Sequence, residues 1–198
     1  MAGASSGASS AGAGGGSGEP VWVIDPIDGT NNFAWGIPIW ATLIALQVDG
    51  RSVAGVVSAP ALGERYDAAL GMGARMNGAP IRVSSVATIE DARVCFASWG
   101  GWVDAGLDRQ WASILTRCRR SRGFGDFWGH MLVARGAAEV MAEPDLQPWD
   151  VAALTVIVAE AGGRVSDFAG RPHEGRASCL TTNGPLHDAI LAGLGRAG

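Results

Sequence analysis

The stretch Val21-Trp22-Val23-Ile24-Asp25-Pro26-Ile27-Asp28-Gly29-Thr30-Asn31-Asn32-Phe33 decides how the rest of the chain is read. It begins as a β-branched and aromatic run, then breaks into two carboxylates, a proline, a glycine and a threonine. Such a run reads as a buried strand delivering acids to its C-terminal end. Pro26 has no backbone N–H and disfavours continued pairing, which predicts that the strand stops at Asp25 and hands the chain to a loop. At that sheet mouth Asp25 and Asp28 suit a hard divalent cation, which takes carboxylate and carbonyl oxygens and keeps several waters. Gly29, Thr30 and Asn31 read as the opening of a helix, whose free N–H groups and positive dipole end suit a phosphate.

Outward from this stretch, the totals bound the class. The 198 residues suffice for one large domain or two small ones sharing a core. At 47% hydrophobic and 17% charged the chain reads as globular. Its fifteen basic residues are all Arg, and the formal net charge is -4. Only Arg117, Arg119, Arg120 and Arg122 cluster, which reads as a solvated face and argues against a nucleic-acid partner. Cys95, Cys118 and Cys179 are odd in number and lack metal-type spacing, so a disulfide framework is not expected and a reducing, cytoplasmic setting is. No apolar run is long enough to span a bilayer, so no membrane partner is expected. Residues 1–19 are rich in Gly, Ala and Ser, with neither a basic start nor an apolar stretch; they read as a disordered tail, not a secretory signal.

The interior divides by its grammar. Residues 20–85 read as an antiparallel sheet: apolar runs over Pro38 to Val48 and Ser52 to Ala59 flank Asp49-Gly50, a third strand covers Arg65 to Leu70, and Asn77-Gly78 turns the chain into Ile81-Arg82-Val83. Residues 86–198 alternate strands and helices. Strands are expected at Arg93 to Ala97, Ala138 to Ala142, Arg164 to Phe168 and Ser178 to Thr182. Helices are expected at Asp108 to Arg117, Gly125 to Arg135 and Pro185 to Leu194. A long apolar helix opens at Pro148 and stops at Gly162-Gly163. His173 and His187 have no evident partners and read as surface residues.

Spacing narrows the chemistry. Two residues separate Asp25 from Asp28, whereas a haloacid-dehalogenase-type phosphatase has its acids one residue apart. The stretch instead closely resembles the signature of the inositol monophosphatase family, Asp-Pro-x-Asp-Gly-Thr followed by Phe. Trp149-Asp150 with Ala152, Ala153 and then Glu160-Ala161-Gly162-Gly163 resembles that family's second signature. Taken alone, Asp150 is a helix-start acid and Glu160 a structural residue. The resemblance covers residues 20–195 and implies an α/β (α+β) fold, an αβαβα layered sandwich. It further implies a Mg²⁺-dependent hydrolase of small phosphate monoesters, usually homodimeric. By the same resemblance Asp25 bridges two metals, the Ile27 carbonyl and Asp28 each ligate one, and Asp150 ligates the second. Thr30 orients the attacking water, and the Gly29 and Thr30 amides hold the phosphate.

Trp40 to Leu46, Ser58 to Gly63 and Gly123 to Trp128 look more like the family's histidinol-phosphatase branch than like its inositol phosphatases. The implied substrate is L-histidinol phosphate, with an inositol or sugar phosphate as the alternative. Asp126 falls where the inositol enzymes line the pocket with a small apolar residue, and an anion there suits an ammonium or imidazolium. Its plain reading is a helix-start acid with His130 four residues on. Glu143, seven residues before Asp150, matches a substrate-contact glutamate of the family; its plain reading is a surface acid at a strand end. The family also places two helices and a metal-binding Gly-Glu-Glu before its first signature. Glu19, the only acid ahead of Asp25, is about 20 Å from it along a strand. The expectation is therefore a member truncated at its N-terminus, with one metal site incomplete, and an impaired or non-catalytic relic as a further alternative.

Overall fold

A computed structural model describes residues 18–173 and 177–195. The tail expected at residues 1–19 thus lies almost wholly outside the described residues. Six strands, β1 (Val21–Asp28), β2 (Ala41–Val48), β3 (Arg51–Ala59), β4 (Glu64–Ala69), β5 (Ala74–Met76) and β6 (Ala79–Pro80), form an antiparallel meander in chain order. Its hairpins turn where the sequence predicts. Asp49 and Gly50 have φ of 51° and 73°, and Asn77 and Gly78 have 50° and 80°, the paired positive angles that match strand twist in two-residue loops. The last strand is shorter than expected: Ile81 to Val83 lie beyond β6, and the Val83 amide bonds to the Ala161 carbonyl instead.

β1 corrects the expected strand end. It runs through Pro26 to Asp28, because β1 is the sheet edge and needs no donor from Pro26 on its open side. Asp25 pairs with Leu43 and Asp28 with Ala41, so three steps along β1 match two along β2 (a β-bulge). This extra residue decides the site. In a regular strand residues three apart face opposite sides, whereas here both Asp25 and Asp28 are buried.

The second sheet contains β7 (Arg93–Phe96), β8 (Arg120–Arg122), β9 (Val140–Leu146), β10 (Arg164–Ser166) and β11 (Ala177–Thr182), ordered β10-β11-β9-β7-β8. β7 runs parallel to β8 and β9; β11 is antiparallel to β9 and β10. Part of the arginine cluster is thus the edge strand β8, and Arg117 pairs with Glu90 at 3.0 Å.

Between the sheets lie α4 (Asp126–Ala134) and α5 (Pro148–Glu160), apolar nearly all round because both faces are covered. Leu43, Val57, Tyr66, Phe127, Met131, Leu154 and Ile157 share one core across this boundary. On the far side of the second sheet, α2 (Trp99–Asp104), α3 (Asp108–Arg117) and α6 (His187–Gly193) enclose stacked Trp102 and Trp111, ring centroids 4.2 Å apart. Short α1 (Thr30–Ala34) follows β1 directly. The described layers are sheet, helices, sheet, helices, and the outer face of the first sheet exposes Trp22 and Ile24.

Two polar residues depart from the surface reading. His187 is buried, its ring bonded to Ser166 Oγ and Thr182 Oγ1, both at 2.9 Å. His173 is half-buried, with Nε2 3.3 Å from the Ala177 carbonyl. Glu160 is structural in a specific way. Its two oxygens accept from the Gly71 and Gly73 amides at 2.8 Å, closing the β4–β5 turn onto the end of α5.

Candidate active site

Three helices begin around one cavity of about 310 Å³, lined by β1, α1, α4, β9 and α5. Gly29 precedes α1 with φ of 76°, and a Cβ there would lie 2.7 Å from the Ile39 carbonyl oxygen, so only glycine fits. Thr30 donates its hydroxyl proton to the Ile27 carbonyl at 2.8 Å. That carbonyl has a second lone pair and remains able to bind another group.

The three acids expected to bind metal converge. One oxygen from each of Asp25, Asp28 and Asp150 lies within 4.8 Å of the others. Each carboxylate is also fixed by a backbone amide: Asp25 Oδ1 accepts from Ile27 at 3.0 Å, Asp28 Oδ2 from Phe127 at 2.8 Å, and Asp150 Oδ2 from Gln147 at 2.8 Å. The last bond is half of a capping box that starts α5, so Asp150 is at once a helix cap and a cavity wall. The Phe127 bond similarly gives an N-terminal amide of α4 an acceptor from another element.

Asp126 and Glu143 line the same cavity. Glu143 is buried within β9, which rules out its reading as a surface acid, and its Oε1 accepts from the Asp126 amide at 3.0 Å. Asp126 adopts φ of 56°, unusual for a non-glycine residue, and its Oδ2 accepts from Asn32 Nδ2 at 2.8 Å. Asp126 does sit in the first turn of α4, but His130, four residues on, is not bonded to it. His130 is buried, with Nδ1 2.7 Å from Thr181 Oγ1 and Nε2 without a partner among the described residues. Burial lowers its pKa to about 3, which keeps it neutral.

Among the described residues, five carboxylates and no arginine line this cavity. Burial is the main cause that raises all five. It holds Asp28 well above the ordinary carboxylate range, Glu143 at about 8 and Asp150 at about 6, while Asp25 and Asp126 rise against the pull of the Ile27 amide and the Asn32 amide respectively. Mutual repulsion adds to this at Asp28, Glu143 and Asp150. Such a site is electrostatically unfinished. A dianionic phosphate would be repelled by it unless positive charge came from outside the chain, and the oxygen-only donor set fits a hard divalent cation.

Sequence reading did not single out Asn32, His130 or Trp149 as lining residues. Asn32 carried a signal, since its amide follows Thr30 by two positions in the first turn of a helix. His130 carried little, because burial of a lone histidine is invisible in sequence.

The family model for the inositol monophosphatase family matches residues 3–195. A histidinol-phosphatase of Mycobacterium tuberculosis is 47% identical over 180 residues, which cover 87% of this chain and 68% of the relative. One from Streptomyces coelicolor is 42% identical over 185 residues, 89% of this chain and 70% of the relative. Among solved structures, an IMPase from Thermotoga maritima superposes with a TM-score of 0.81 at 34% identity, covering 90% of this chain and 70% of that one.

Proposed function

The chain belongs to the inositol monophosphatase family of phosphoric monoester hydrolases, and on that premise we propose that it is a Mg²⁺-dependent phosphatase acting on L-histidinol phosphate. The observation that carries the reading is the acid-lined cavity: Asp25, Asp28 and Asp150 gathered within 4.8 Å, with Asp126 and Glu143 on the same wall and no arginine among the described lining residues to balance them. In this reading Asp25, the Ile27 carbonyl, Asp28 and Asp150 hold Mg²⁺. The bound cation supplies positive charge for the phosphate and for an attacking water.

The chain's own groups do the rest. The Gly29 and Thr30 amides receive phosphate oxygens at the start of α1. Thr30 has committed its proton to the Ile27 carbonyl, which leaves its oxygen an acceptor that can orient one water proton. The water oxygen then bonds to phosphorus while the P–O bond to the alcohol breaks; one water proton ends on the departing alcohol oxygen and the other leaves with the phosphate. Asp126 and Glu143 lie where the alcohol must leave. Negative charge on Asp126, whose amide Glu143 holds, favours an alcohol carrying a cation, and L-histidinol carries an ammonium. The names of the two bacterial relatives support this choice. A homodimer in the cytoplasm, without nucleic-acid or membrane partners, completes the reading; free Cys95, Cys118 and Cys179 fit a reducing compartment.

An inositol or sugar phosphate is the second reading. It is favoured by a Thermotoga maritima relative, 38% identical and named fructose-1,6-bisphosphatase/inositol-1-monophosphatase. Phosphate release from L-histidinol phosphate and from inositol 1-phosphate, each with Mg²⁺ and with EDTA, separates the two. Asp126→Ala should depress hydrolysis of the cationic substrate far more than that of the neutral one. Equal losses would remove Asp126 from substrate recognition.

A further inference from the structure

Asn32 is bonded at both ends of a short bridge between α1 and α4. Its Nδ2 donates to the Ile39 carbonyl at 2.9 Å and to Asp126 Oδ2 at 2.8 Å, so both amide hydrogens are committed. The Ile39 carbonyl is the atom that excludes any side chain at Gly29. One backbone oxygen therefore fixes the turn that opens α1 and also anchors the amide that reaches Asp126. Phe33 packs edge-on against Trp40, ring centroids 5.1 Å apart, and holds the next residue of α1 to the same segment. Asn32 is thus mounted on a braced support, although α1 has only five residues.

Asp126 is constrained from the other side. Its backbone is in the left-handed region, and its amide is held by Glu143. With the main chain fixed, the remaining freedom of its carboxylate is rotation of the side chain, a broad torsion in aspartate. The Asn32 bond removes that freedom by engaging Oδ2. Oδ1 is left as the acceptor available to the cavity that Asp126 lines. Bonds to charged groups are stronger and shorter than neutral ones, so a side-chain amide can hold the carboxylate in one orientation.

We propose that Asn32 is a positioning residue for substrate selectivity: by clamping Asp126 Oδ2 it sets the spacing between the phosphate end of the cavity at Gly29 and Thr30 and an ammonium-binding oxygen, Asp126 Oδ1. The inference rests on the reading of Asp126 as the contact for a cationic alcohol. It extends that reading from an acid in the wall to a fixed distance between two subsites. Phosphate esters whose ammonium matches that distance are favoured; a loose carboxylate would accept a wider range with weaker binding.

The test compares L-histidinol phosphate with glycerol 2-phosphate, an ester of an uncharged alcohol, on the full chain with saturating Mg²⁺. Asn32→Ala should reduce kcat/KM for L-histidinol phosphate about tenfold or more, mainly through KM, because one hydrogen bond to a charged group is lost. Glycerol 2-phosphate hydrolysis should change by less than about threefold, which also reports that the variant is folded. Asn32→Ser, with a shorter donor, should fall between. In an Asp126→Ala background, Asn32→Ala should have no further effect on selectivity, since the group it positions is gone. Equal losses on both esters, or fully additive losses in the double variant, would overturn the inference and leave Asn32 a staple of α1. If Asp126→Ala itself leaves selectivity unchanged, the failure belongs to the underlying reading of Asp126, and the inference falls with it.

Discussion

The backbone amide of Phe127 donates to Asp28 Oδ2 at 2.8 Å, a buried bond joining the end of β1 to the first turn of α4 across 99 positions of sequence. The Phe127 amide is buried and has this carboxylate as its acceptor, so the bond is obligatory for it. Asp28 and the start of α4 are thus brought together by folding. Asp126, whose amide is held by Glu143, is the next residue along. The cavity is therefore preorganised by main-chain amides, and its residual cost is the unbalanced charge of its carboxylates.

Asp28 consequently has two separable roles. Asp28→Asn retains an oxygen to accept from Phe127 but removes the charge; Asp28→Ala removes both. The Asn variant should lose Mg²⁺-dependent phosphate release while keeping its fold. The Ala variant should be less stable than the Asn variant by about 1–3 kcal/mol, the cost of a buried N–H left unpaired. Urea unfolding in EDTA measures the difference. Equal stabilities would show that the Phe127 amide finds another partner.

Asp150→Asn isolates charge at the start of α5. Its remaining oxygen can still cap the Gln147 amide, so the helix start survives. Mg²⁺ should raise the melting temperature of the parent; loss of one carboxylate from the group of three should remove that rise and lower phosphate release by about 100-fold or more. In EDTA the variant should be at least as stable as the parent, because repulsion from Asp25 disappears. An unchanged rate with an unchanged Mg²⁺ requirement would reject Asp150 as a ligand.

The site was legible in sequence where its groups are contiguous or tied to helix punctuation, and illegible where it depends on register. Asp25, Asp28, Gly29 and Thr30 could be read because strand, turn and helix follow within ten residues. Asp150 read alone only as a helix-start acid, and it joined Asp25 and Asp28 through the resemblance of Trp149-Asp150 to the family's second signature. The expected stop at Asp25 failed for a physical reason. Pro26 was read as a strand breaker, yet on an edge strand a bulge absorbs it, and that bulge puts both aspartates on one face. Helix α3 announced itself through Trp111, Ile114 and Leu115 on one face, and α4 and α5 through Gly and Pro punctuation, whereas α2, with two glycines in Trp99-Gly100-Gly101-Trp102, did not. His187 was misread because its partners, Ser166 and Thr182, come from two strands that sequence does not pair.

The network around His187 predicts a pH dependence of stability. Ser166 spends its hydroxyl proton on the Asp167 carbonyl at 2.7 Å, so it must accept from His187 Nε2–H. Thr182 Oγ1 accepts from the Gly184 amide at 3.2 Å and can give its proton to Nδ1. The ring is thus held neutral. Burial, with Arg164 adding and Asp188 opposing, lowers its pKa from 6.5 to about 4. The folded pKa lies below the unfolded one, so the unfolded state binds the proton first as pH falls. The contribution is complete above pH 6.5 and is lost on acidification towards pH 4, by on the order of 3 kcal/mol. Chemical denaturation in EDTA across this window should show a shallower slope for His187→Gln than for the parent. Parallel slopes would mean that His187 does not titrate on unfolding.

Gly55 brings β3 close against α5, and its substitution tests how that contact supports the site. A Cβ at this position would lie 2.7 Å from the Ala153 carbonyl oxygen and 2.7 Å from Val156 Cγ1. Val156 can adjust its side chain, but the carbonyl belongs to the helix backbone, so relief requires α5 to move outward from β3. Overpacking of this kind costs about 1–3 kcal/mol. The same helix carries Asp150 in its first turn, within 4.8 Å of Asp25 and Asp28, which stay behind on β1. Gly55→Ala should therefore lower the melting temperature and also weaken Mg²⁺ activation, raising the concentration needed for half-maximal phosphate release. Gly100→Ala is the control, because nothing lies within 4 Å of its added methyl group and it touches no part of the cavity. A Gly55→Ala variant that is destabilised yet keeps its Mg²⁺ requirement unchanged would show that α5 yields locally at Ala153 without transmitting the shift to Asp150.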